Sequence, residues 1–486
     1  MIGPCTGRRL GTFASVAAAL TALSVPAHAG NTFFDLGDLV VSVEGNGVVG
    51  ATSGSYTDNQ AAPLSLFQYV PNGTSSATYV DSLVLPQTAS GSNYAVSGEY
   101  GSSSEGSLQL SGNGQYLTVM GYGVNAAAFN ANPFAYGNSA ALAQSNSLTG
   151  QSVAAVPRVV VTIDANGNVN SSTALYNVFN GNNPRSVYSA NGTTFYVSGQ
   201  GTSGDSTGGV FYTTLGSHSV TPITGLDTSG GTASQDTRNV QIVNGTLYVS
   251  VDSKGGSGSN RDYIGTLGPI GSAPTTLANN GNGPAMLAGF GNSGGTGKEI
   301  ITAATANGIN SAGQTVNLSP ENYFFANAST LYVADSGSPK NNSGSTALGD
   351  GGLQKWVNSN ANGTGTWNLE YTLSAGLGLV PNTAAAGTTG LEGLTGKVVN
   401  GQVELFATNY TIGDLNQTYL YGITDPLSAI SKPAGEAFSI LATAPVDSNF
   451  KGVSFAPISA VPEPSSYAMF GAGLFMIWAV RRRKTS

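Results

Sequence analysis

Six charged residues occupy equivalent positions in a repeated stretch of this sequence. Each stands at or next to the start of one copy: Glu105, Arg185, Arg238, Glu321, Glu392 and Lys451. A small or polar residue follows each charge, and then a short run of alternating apolar residues. If these positions meet in the fold, three acids and three bases form a ring. An Arg guanidinium in such a ring can bind a carboxylate or a sulfate with two parallel hydrogen bonds, whereas neighbouring acids and bases can equally neutralise one another.

Metal and nucleophilic chemistry have less support in the sequence. Outside the N-terminal segment described below, His218 is the only histidine, and it stands in the turn-like stretch LGSHSVTP. A serine-histidine-acid triad and a zinc site both need more convergent partners than this. Calcium prefers carboxylate and carbonyl oxygens, so the loops 252–262 and 414–417 offer candidate ligands, although neither matches an EF-hand. We predict no catalytic residue, no metal ligand and no cofactor, and calcium remains the open alternative.

The elements that would position the six charges are β-hairpins. In five copies an Asn-Gly pair, or Asn-Ala in one of them, separates the first strand from a second strand such as FYV or LYV. Asn-Gly between two alternating runs is a strong hairpin signal because both residues tolerate positive φ. Further strand-like runs follow most hairpins, for example GLQKWV and WNLEYTLS. Four strands per repeat are typical of a β-propeller blade, and the first strand of each blade lines the central channel.

The last copy of the repeat is incomplete. FKGVSFAP at 450–457 supplies a charge and a first strand only. The runs DLVVSVEG, LSLFQYV and TYVDSLVLP near the start of the chain can supply the missing three strands. Pairing both ends of the chain in one blade removes sheet edges that otherwise favour aggregation. We therefore predict an all-β fold, a propeller of six four-stranded blades closed by its N- and C-terminal strands, with the charges at one mouth of the channel.

Two stretches do not fit the repeat. Residues 125–156 are rich in Ala, Asn and Ser, and residues 279–318 are rich in Gly, Asn and Thr. We interpret both as loops or excursions from the blades. The second could instead contain part of a seventh blade, so the sequence leaves six and seven blades open.

The composition indicates a folded acidic body. Charged residues make up only 9% of the chain, but 21 Tyr and 18 Phe argue against disorder. Of the 17 Lys and Arg residues, 11 lie outside the two terminal segments, against 25 Asp and Glu in the whole chain. Phosphate binding needs concentrated positive charge, so we expect no nucleic-acid partner.

The N-terminal segment is typical of a secretory signal peptide. Arg8 and Arg9 precede an apolar run, and Ala27-His28-Ala29 fits a signal peptidase site. We predict a signal peptide at 1–29 and a propeller domain at 30–458. Cys5 is the only cysteine and lies in the removed segment, so the mature chain cannot form a disulfide.

The C-terminal segment, 459–486, has three parts. Pro462, Glu463 and Pro464 come first, then the uncharged run Tyr467–Val480, and then a basic cluster composed of Arg481, Arg482, Arg483 and Lys484. The run has fourteen residues, which reach about 21 Å as a helix against a hydrocarbon core of about 30 Å. A short transmembrane helix with basic residues on its cytoplasmic side is predicted.

This three-part order resembles the PEP-CTERM sorting signal of Gram-negative bacteria. The resemblance implies processing by an exosortase near Pro-Glu-Pro, transient retention in the inner membrane, and delivery to the cell surface or extracellular matrix. Proteins with this signal often accompany exopolysaccharide and biofilm production. The alternative is an ordinary tail anchor that keeps the domain permanently on the membrane.

The body resembles the β-propellers of six or seven blades through the YVAD strand at Tyr332–Asp335 and through Glu392-Gly393-Leu394. Fold alone does not define function. We expect a structural or binding propeller that takes a polysaccharide or matrix ligand and is not an enzyme. The alternative is an extracellular hydrolase or lactonase with a metal held by Glu105, Glu321 and Glu392. Ligand, oligomeric state and pathway are not indicated by the sequence.

Overall fold

Almost every regular element of the computed structural model is a β-strand. The structure describes residues 32–102, 104–202, 204–225, 236–252, 262–290, 299–302, 315–317, 319–337, 351–381 and 384–459. They belong to the compact unit Thr32–Ser486. The predicted signal peptide and the sorting segment from residue 460 onward lie outside the described residues. Within these ranges, no helix has the length and apolar character needed to cross a bilayer.

The strands are numbered in chain order. Those of the first half are β1 Leu39–Gly45, β2 Ala61–Asn72, β3 Ser76–Val84, β4 Ser97–Glu99, β5 Gln109–Leu110, β6 Tyr116–Tyr122, β7 Arg158–Asp164, β8 Val169–Leu175, β9 Pro184–Ser189, β10 Thr194–Gly199, β11 Gly209–Thr214, β12 Thr221–Pro222 and β13 Thr237–Val243. The helix α1 spans Ala126–Ala131, and single 3-10 turns span Pro133–Ala135 and Asn279–Gly281.

The remaining strands follow the same order. They are β14 Thr246–Asp252, β15 Asp262–Leu267, β16 Ala285–Met286, β17 Glu299–Thr302, β18 Thr315–Asn317, β19 Pro320–Asn327, β20 Thr330–Asp335, β21 Gly352–Asn358, β22 Trp367–Leu373, β23 Thr388–Val399, β24 Gln402–Thr411, β25 Tyr419–Pro426, β26 Ser439–Thr443 and β27 Ser448–Phe455.

Four sheets are separate antiparallel meanders of four strands, arranged as propeller blades. They contain β9–β12, β13–β16, β19–β22 and β23–β26. A further sheet has nine strands along the path β27-β1-β2-β4-β6-β7-β8, with β3 on β2 and β5 on β6. The predicted count of six separate blades is therefore not confirmed. The short strand β4 pairs with both β2 and β6, and this merges two meanders into one sheet.

The two ends of the described chain pair with each other. Strand β27 runs antiparallel to β1, with Phe455 opposite Leu39 and Ser448 opposite Gly45. Strand β2 pairs with β1, and β3 pairs with β2. The sequence-predicted closure is thus present, because β27 occupies the position of the missing first strand beside the three runs near the start.

The hairpin turns use asparagine in two ways. At Asn244-Gly245 and Asn400-Gly401 both residues have positive φ, as the sequence predicts. At Asn191 only the following glycine does, and the Asn191 side-chain oxygen instead accepts a hydrogen bond of 3.0 Å from the amide of Thr193. The asparagine then closes the turn by imitating a backbone carbonyl.

The two irregular stretches differ in structure. The first, 125–156, contains α1 and one 3-10 turn and otherwise runs as loop. The fourth strand of the β13–β16 blade is β16, which pairs with β15. In 279–318, β17 and β18 pair with each other.

Apolar clusters between neighbouring sheets form the core. On β20, Leu331 and Val333 pack in a cluster with β13–β16 residues such as Ile264, whereas Tyr332 and Ala334 pack in a cluster with residues of the β23–β26 sheet. Both faces of this strand are therefore buried, which explains its nearly unbroken apolar sequence LYVA. The packing of neighbouring sheets face to face keeps their inner strands side by side around the centre.

Candidate functional site

The six predicted charges line one narrow cavity of about 20 Å³ at the centre of the sheets, here called the hub. Their positions are Glu105 just before β5, Arg185 on β9, Arg238 on β13, Glu321 on β19, Glu392 on β23 and Lys451 on β27. All six are buried, and the cavity has room for about one water molecule. The structure therefore brings the whole predicted ring together.

Arg238 is bound by two carboxylates. Its Nη1 lies 3.1 Å from Glu321 Oε2, and its Nη2 lies 3.2 Å from Asp252 Oδ2. Burial alone would lower the pKa of Arg238, but the two carboxylates outweigh it and raise that pKa. Arg238 stays charged, and Glu321 on the neighbouring inner strand is held as its counter-ion.

Lys451 pairs with the acid of the adjacent inner strand. Its Nζ lies 4.0 Å from Glu392 Oε2 and also donates to the Ser102 carbonyl. Burial lowers the pKa of Lys451, yet the nearby carboxylates of Glu392 and Glu44 raise it overall. This contact again joins two neighbouring inner strands.

Arg185 and Glu105 have different partners in the hub. Arg185 donates to Asp236, to Gln200 Oε1 at 2.9 Å and to the Thr237 carbonyl at 3.2 Å. Glu105 Oε1 accepts from the Tyr122 hydroxyl and, at 2.5 Å, from Asn183 Nδ2. Burial raises the pKa of Glu105, although these two hydrogen bonds act in the opposite direction.

Two further buried acids lie beside the hub. Burial raises the pKa of Glu44 well above its usual range, although the positive charge of Lys451 opposes this. Burial likewise raises the pKa of Glu99, and the negative charge of Glu105 adds to the effect. These carboxyls therefore hold protons at pH values where exposed glutamates do not.

The three acids of the metal alternative each contact other side chains. Glu321 and Glu392 each have a basic neighbour, and Glu105 is held by a tyrosine and an asparagine. In the part of the chain that the structure describes, no group of three or more His, Asp and Glu side chains is placed to hold a metal ion. Of the calcium-candidate loops, most of 252–262 lies outside the described residues, and Asp414 lies at the channel mouth. His218 lies elsewhere, with Nδ1 3.0 Å from the Ala174 carbonyl.

Buried hydroxyls on four second strands connect to the neighbouring inner strand. Ser42, Ser198, Ser250 and Thr408 occupy one equivalent position on second strands, and we call them the bridging hydroxyls. Ser250 Oγ accepts from the Asn239 amide at 3.0 Å and donates to the Glu321 carbonyl at 3.2 Å. Thr408 accepts from the Gly393 amide at 2.9 Å and donates to the Lys451 carbonyl. The backbone of the hub residues is thus fixed from the neighbouring blade.

Glycine after the charge permits the closest approach of inner strands. A Cβ at Gly452 would lie 2.1 Å from the Leu108 nitrogen, and one at Gly393 would lie 2.6 Å from the Lys451 carbonyl oxygen. Real Cβ atoms do not tolerate such distances. This explains why a small residue follows the charge in this part of the repeat.

A larger cavity of about 400 Å³ opens above the hub at one end of the channel, and we call it the mouth. Its lining includes amides, hydroxyls, three acids and two bases: Asn59, Glu99, Ser102, Ser104, Ala141, Ala143, Gln144, Gly181, Asn182, Asn183, Arg185, Gln200, Asp236, Arg238, Tyr410 and Asp414. Arg185 and Arg238 line both cavities. These two arginines therefore form part of the boundary between the mouth and the hub.

Arg158, at the start of β7, organises the loops of the mouth. It is fully buried, and its guanidinium carbon lies 4.7 Å from the centre of the Tyr122 ring. It donates to the carbonyls of Ala143, Ser145, Val156, Phe179 and Asn182 and to Ser145 Oγ. Glu99 fixes the same loop by accepting from the Ala143 amide. The excursion 125–156 is thus held as part of the wall.

Sequence reasoning missed the residues that bind the ring. The partners from second strands lie two positions after the bridging hydroxyl or its equivalent: Glu44, Tyr122, Gln200 and Asp252. These four residues are of different types, so comparison of the repeat copies did not reveal them. Their shared position, two residues after the bridging hydroxyl or its equivalent, could have indicated them. Arg158 had one signal, a lone charge that opens the apolar run VVV.

Four-stranded antiparallel sheets around a central channel with a charged hub define a β-propeller. Residues 460–484 match the family model of the PEP-CTERM protein-sorting motif. The match contains the predicted Pro462, Glu463 and Pro464 and the basic cluster Arg481–Lys484. The chain therefore carries an exosortase sorting signal, which directs export toward the cell surface. The search among curated proteins found no significant match to the chain.

Proposed function

We propose that this protein is a non-enzymatic propeller of the cell surface or extracellular matrix that binds a polysaccharide in the mouth. The observation that supports this most is the sorting motif at 460–484 on a body whose 400 Å³ cavity has a polar lining. The exosortase signal supplies the location, and the mouth supplies the binding site. A link to exopolysaccharide or biofilm production is part of the same proposal.

The proposal includes six blades. The nine-stranded sheet contains two meanders, β27-β1-β2-β3 and β5-β6-β7-β8, each with four strands like the separate sheets. Each of these two meanders also brings one hub residue, Lys451 and Glu105, to the central cavity. Six meanders with six equivalent charges support a six-bladed ring in which β4 is an added connection.

The charges of the mouth favour a ligand without strong charge of its own. Arg185 already binds Asp236, and Arg238 already binds Asp252 and Glu321. An anionic ligand would have to displace these buried partners, which would leave carboxylates uncompensated. Amide groups such as those of Asn182 and Gln144 suit the hydroxyls of a neutral sugar.

Binding is tested with the purified mature protein and the polysaccharide of the producing bacterium, beside neutral and uronic-acid oligosaccharides. Isothermal titration calorimetry should detect binding of the neutral sugars. Ala141→Trp fills the mouth and should weaken binding about tenfold or more, which corresponds to about 1.4 kcal/mol. Ala434→Trp, on an exposed loop outside the mouth lining, is the matched control. Equal binding by the two variants would refute the mouth as the site.

The fate of the tail is tested by mass spectrometry of the mature protein together with its cellular fraction. Processing predicts a C-terminus near Pro462–Pro464 and protein in the matrix or surface fraction. A chain that keeps Arg481–Lys484 and stays with the inner membrane would support a permanent tether instead.

Screens for hydrolase and lactonase activity, with and without calcium, should detect no activity. An activity that is lost on Glu105→Gln would overturn the non-enzymatic part of the proposal.

A further inference from the structure

A lysine and an aspartate meet in the core between two blades, away from the hub. Lys355 lies on β21 and Asp425 lies on β25, and both side chains are 0% exposed. Lys355 Nζ is 2.8 Å from Asp425 Oδ2 and 2.6 Å from the Pro426 carbonyl oxygen. The amine nitrogen and the carboxyl group are thus held in direct contact in a site without exposure to solvent.

Two tyrosines hold the Asp425 carboxyl. The Tyr332 hydroxyl donates to Oδ2 at 2.5 Å, and the Tyr371 hydroxyl donates to Oδ1 at 2.6 Å. The centres of the two rings lie 5.5 Å and 5.4 Å from Lys355 Nζ. Donors on both oxygens withdraw electrons from the carboxyl carbon and would stabilise negative charge that develops on its oxygens.

Glu436 adds a second acid to the cluster. It is hydrogen-bonded to Asp425, and burial and the charge of Asp425 raise the pKa of Glu436 to about 8. Burial also lowers the pKa of Lys355, although Asp425 opposes this effect. The site therefore holds a carboxyl that keeps its proton to a higher pH than an exposed glutamate does, next to a desolvated lysine, and these are groups that can transfer protons.

We propose that Lys355 and Asp425 condense into an intramolecular amide bond, with Glu436 transferring protons, and that this bond covalently joins the β19–β22 and β23–β26 blades.

The reaction is balanced and needs no co-reactant. The Lys355 ammonium first transfers one proton to an oxygen of the Asp425 carboxylate, and the resulting amine attacks the Asp425 side-chain carbon and forms the C–N bond. One Asp425 oxygen then leaves, and the C–O bond breaks. Glu436 delivers a proton to the leaving oxygen and regains one from the nitrogen. The ammonium and the carboxylate together become one amide and one water, with no change in oxidation state.

Such a bond would give the exported body a covalent cross-link in place of a disulfide. The only cysteine, Cys5, lies in the predicted signal peptide, so the exported body cannot use disulfides. An amide between residues 355 and 425 closes a long loop and restricts the unfolded chain in the way a disulfide does. Its site lies between two blades, where it would oppose their separation.

Mass spectrometry of the full-length protein, purified and denatured, tests the bond. The mass should be lower than the calculated mass by one water. Trypsin cleaves after Lys340, Lys397 and Lys451 but not before Pro433, and it cannot cleave at an acylated Lys355. We expect one branched species that joins peptide 341–397 to peptide 398–451. Separate peptides 341–355, 356–397 and 398–451 at full yield would overturn the proposal.

Variants separate the bond from a simple ion pair. Asp425→Ala and Lys355→Arg should restore the calculated mass, and the wild-type result stands even if these variants fold poorly. Glu436→Gln should slow bond formation about 100-fold or more, whereas Glu370→Gln, a nearby partly exposed acid on β22, should leave it complete. A fully linked Glu436→Gln protein would overturn the role of Glu436. The exposed pair Lys397–Glu404, also in contact at 3.1 Å, should show no link, and a link there would mean that contact alone suffices.

Discussion

Removing the positive charge of Arg238 should destabilise the protein far more than removing an exposed charge in a similar contact. Arg238→Met removes the cation that both Glu321 and Asp252 contact, and these side chains are 5% and 2% exposed. Breaking a buried ion pair by removing one partner costs about 3–5 kcal/mol. Glu321→Gln should cost less, about 1.5–3 kcal/mol, because Arg238 keeps Asp252.

The assay is urea unfolding at neutral pH, with the midpoint and slope fitted for each variant. The control is Lys397→Met, because the pair Lys397–Glu404 has nearly the same length of 3.1 Å but 42% exposure at the lysine. Exposed pairs contribute about 0–1 kcal/mol. The double variant Arg238→Met/Glu321→Gln should be less destabilised than the sum of its single changes. In it, Glu321→Gln removes one of the two buried negative charges that Arg238 contacts.

The reasoning is refuted if Arg238→Met and Lys397→Met lower the free energy of unfolding equally. That result would mean that solvent reaches the hub charges and screens them. Total stabilities are about 5–15 kcal/mol, so a loss of this size can prevent folding. If Arg238→Met does not fold, the free energy of unfolding is measured instead for Arg238→Lys, which keeps the charge, and for Glu321→Gln. These two values are then compared with that of Lys397→Met.

Three further predictions concern the hub. Ser250→Ala should lower the free energy of unfolding by about 1–3 kcal/mol, because it removes two hydrogen bonds to buried backbone groups. Gly452→Ala should destabilise more strongly, since its Cβ would lie 2.1 Å from the Leu108 nitrogen; a change in melting temperature like that of an exposed alanine substitution would contradict this. Glu44 holds a proton that the unfolded chain loses, so stability should fall as pH rises above about 4.5. Thermal melts of Glu44→Gln should show a weaker fall, and an unchanged pH profile would contradict the assignment.

The repeat indicated that the six charges share one position, because it carries information about register. A charge that recurs before an inner strand must occupy the same place in each blade, and side-chain direction in a strand follows position with a period of two. Closure was predictable for a similar reason, since an incomplete copy at one end matched three unpaired runs at the other. The six-blade count was harder, because β4 is too short to show a pattern.

The partners of the charges were not predictable in the same way. Asp236 precedes β13 in a polar stretch, and Arg158 opens an apolar strand without any repeat equivalent. The contact between Lys355 and Asp425 was even less predictable from the sequence. Each residue stands in an ordinary strand sequence, GLQKWVN or YLYGITDP. Their burial depends on how two sheets pack face to face, which local periodicity does not specify.

The position of the closing strand links the fold to the sorting signal. Strand β27 ends at Phe455, and the motif begins at residue 460. Beyond β27 the chain is fixed by the Ala456 amide, which donates to the Asp38 carbonyl, and by the Ile458 amide, which donates to the Gly114 carbonyl, both at 2.8 Å. Cleavage near Pro462–Pro464 therefore leaves the closing strand and these bonds intact. The motif begins five residues after β27 ends, so the proposed processing would remove no residue of the strand that pairs the two ends of the chain.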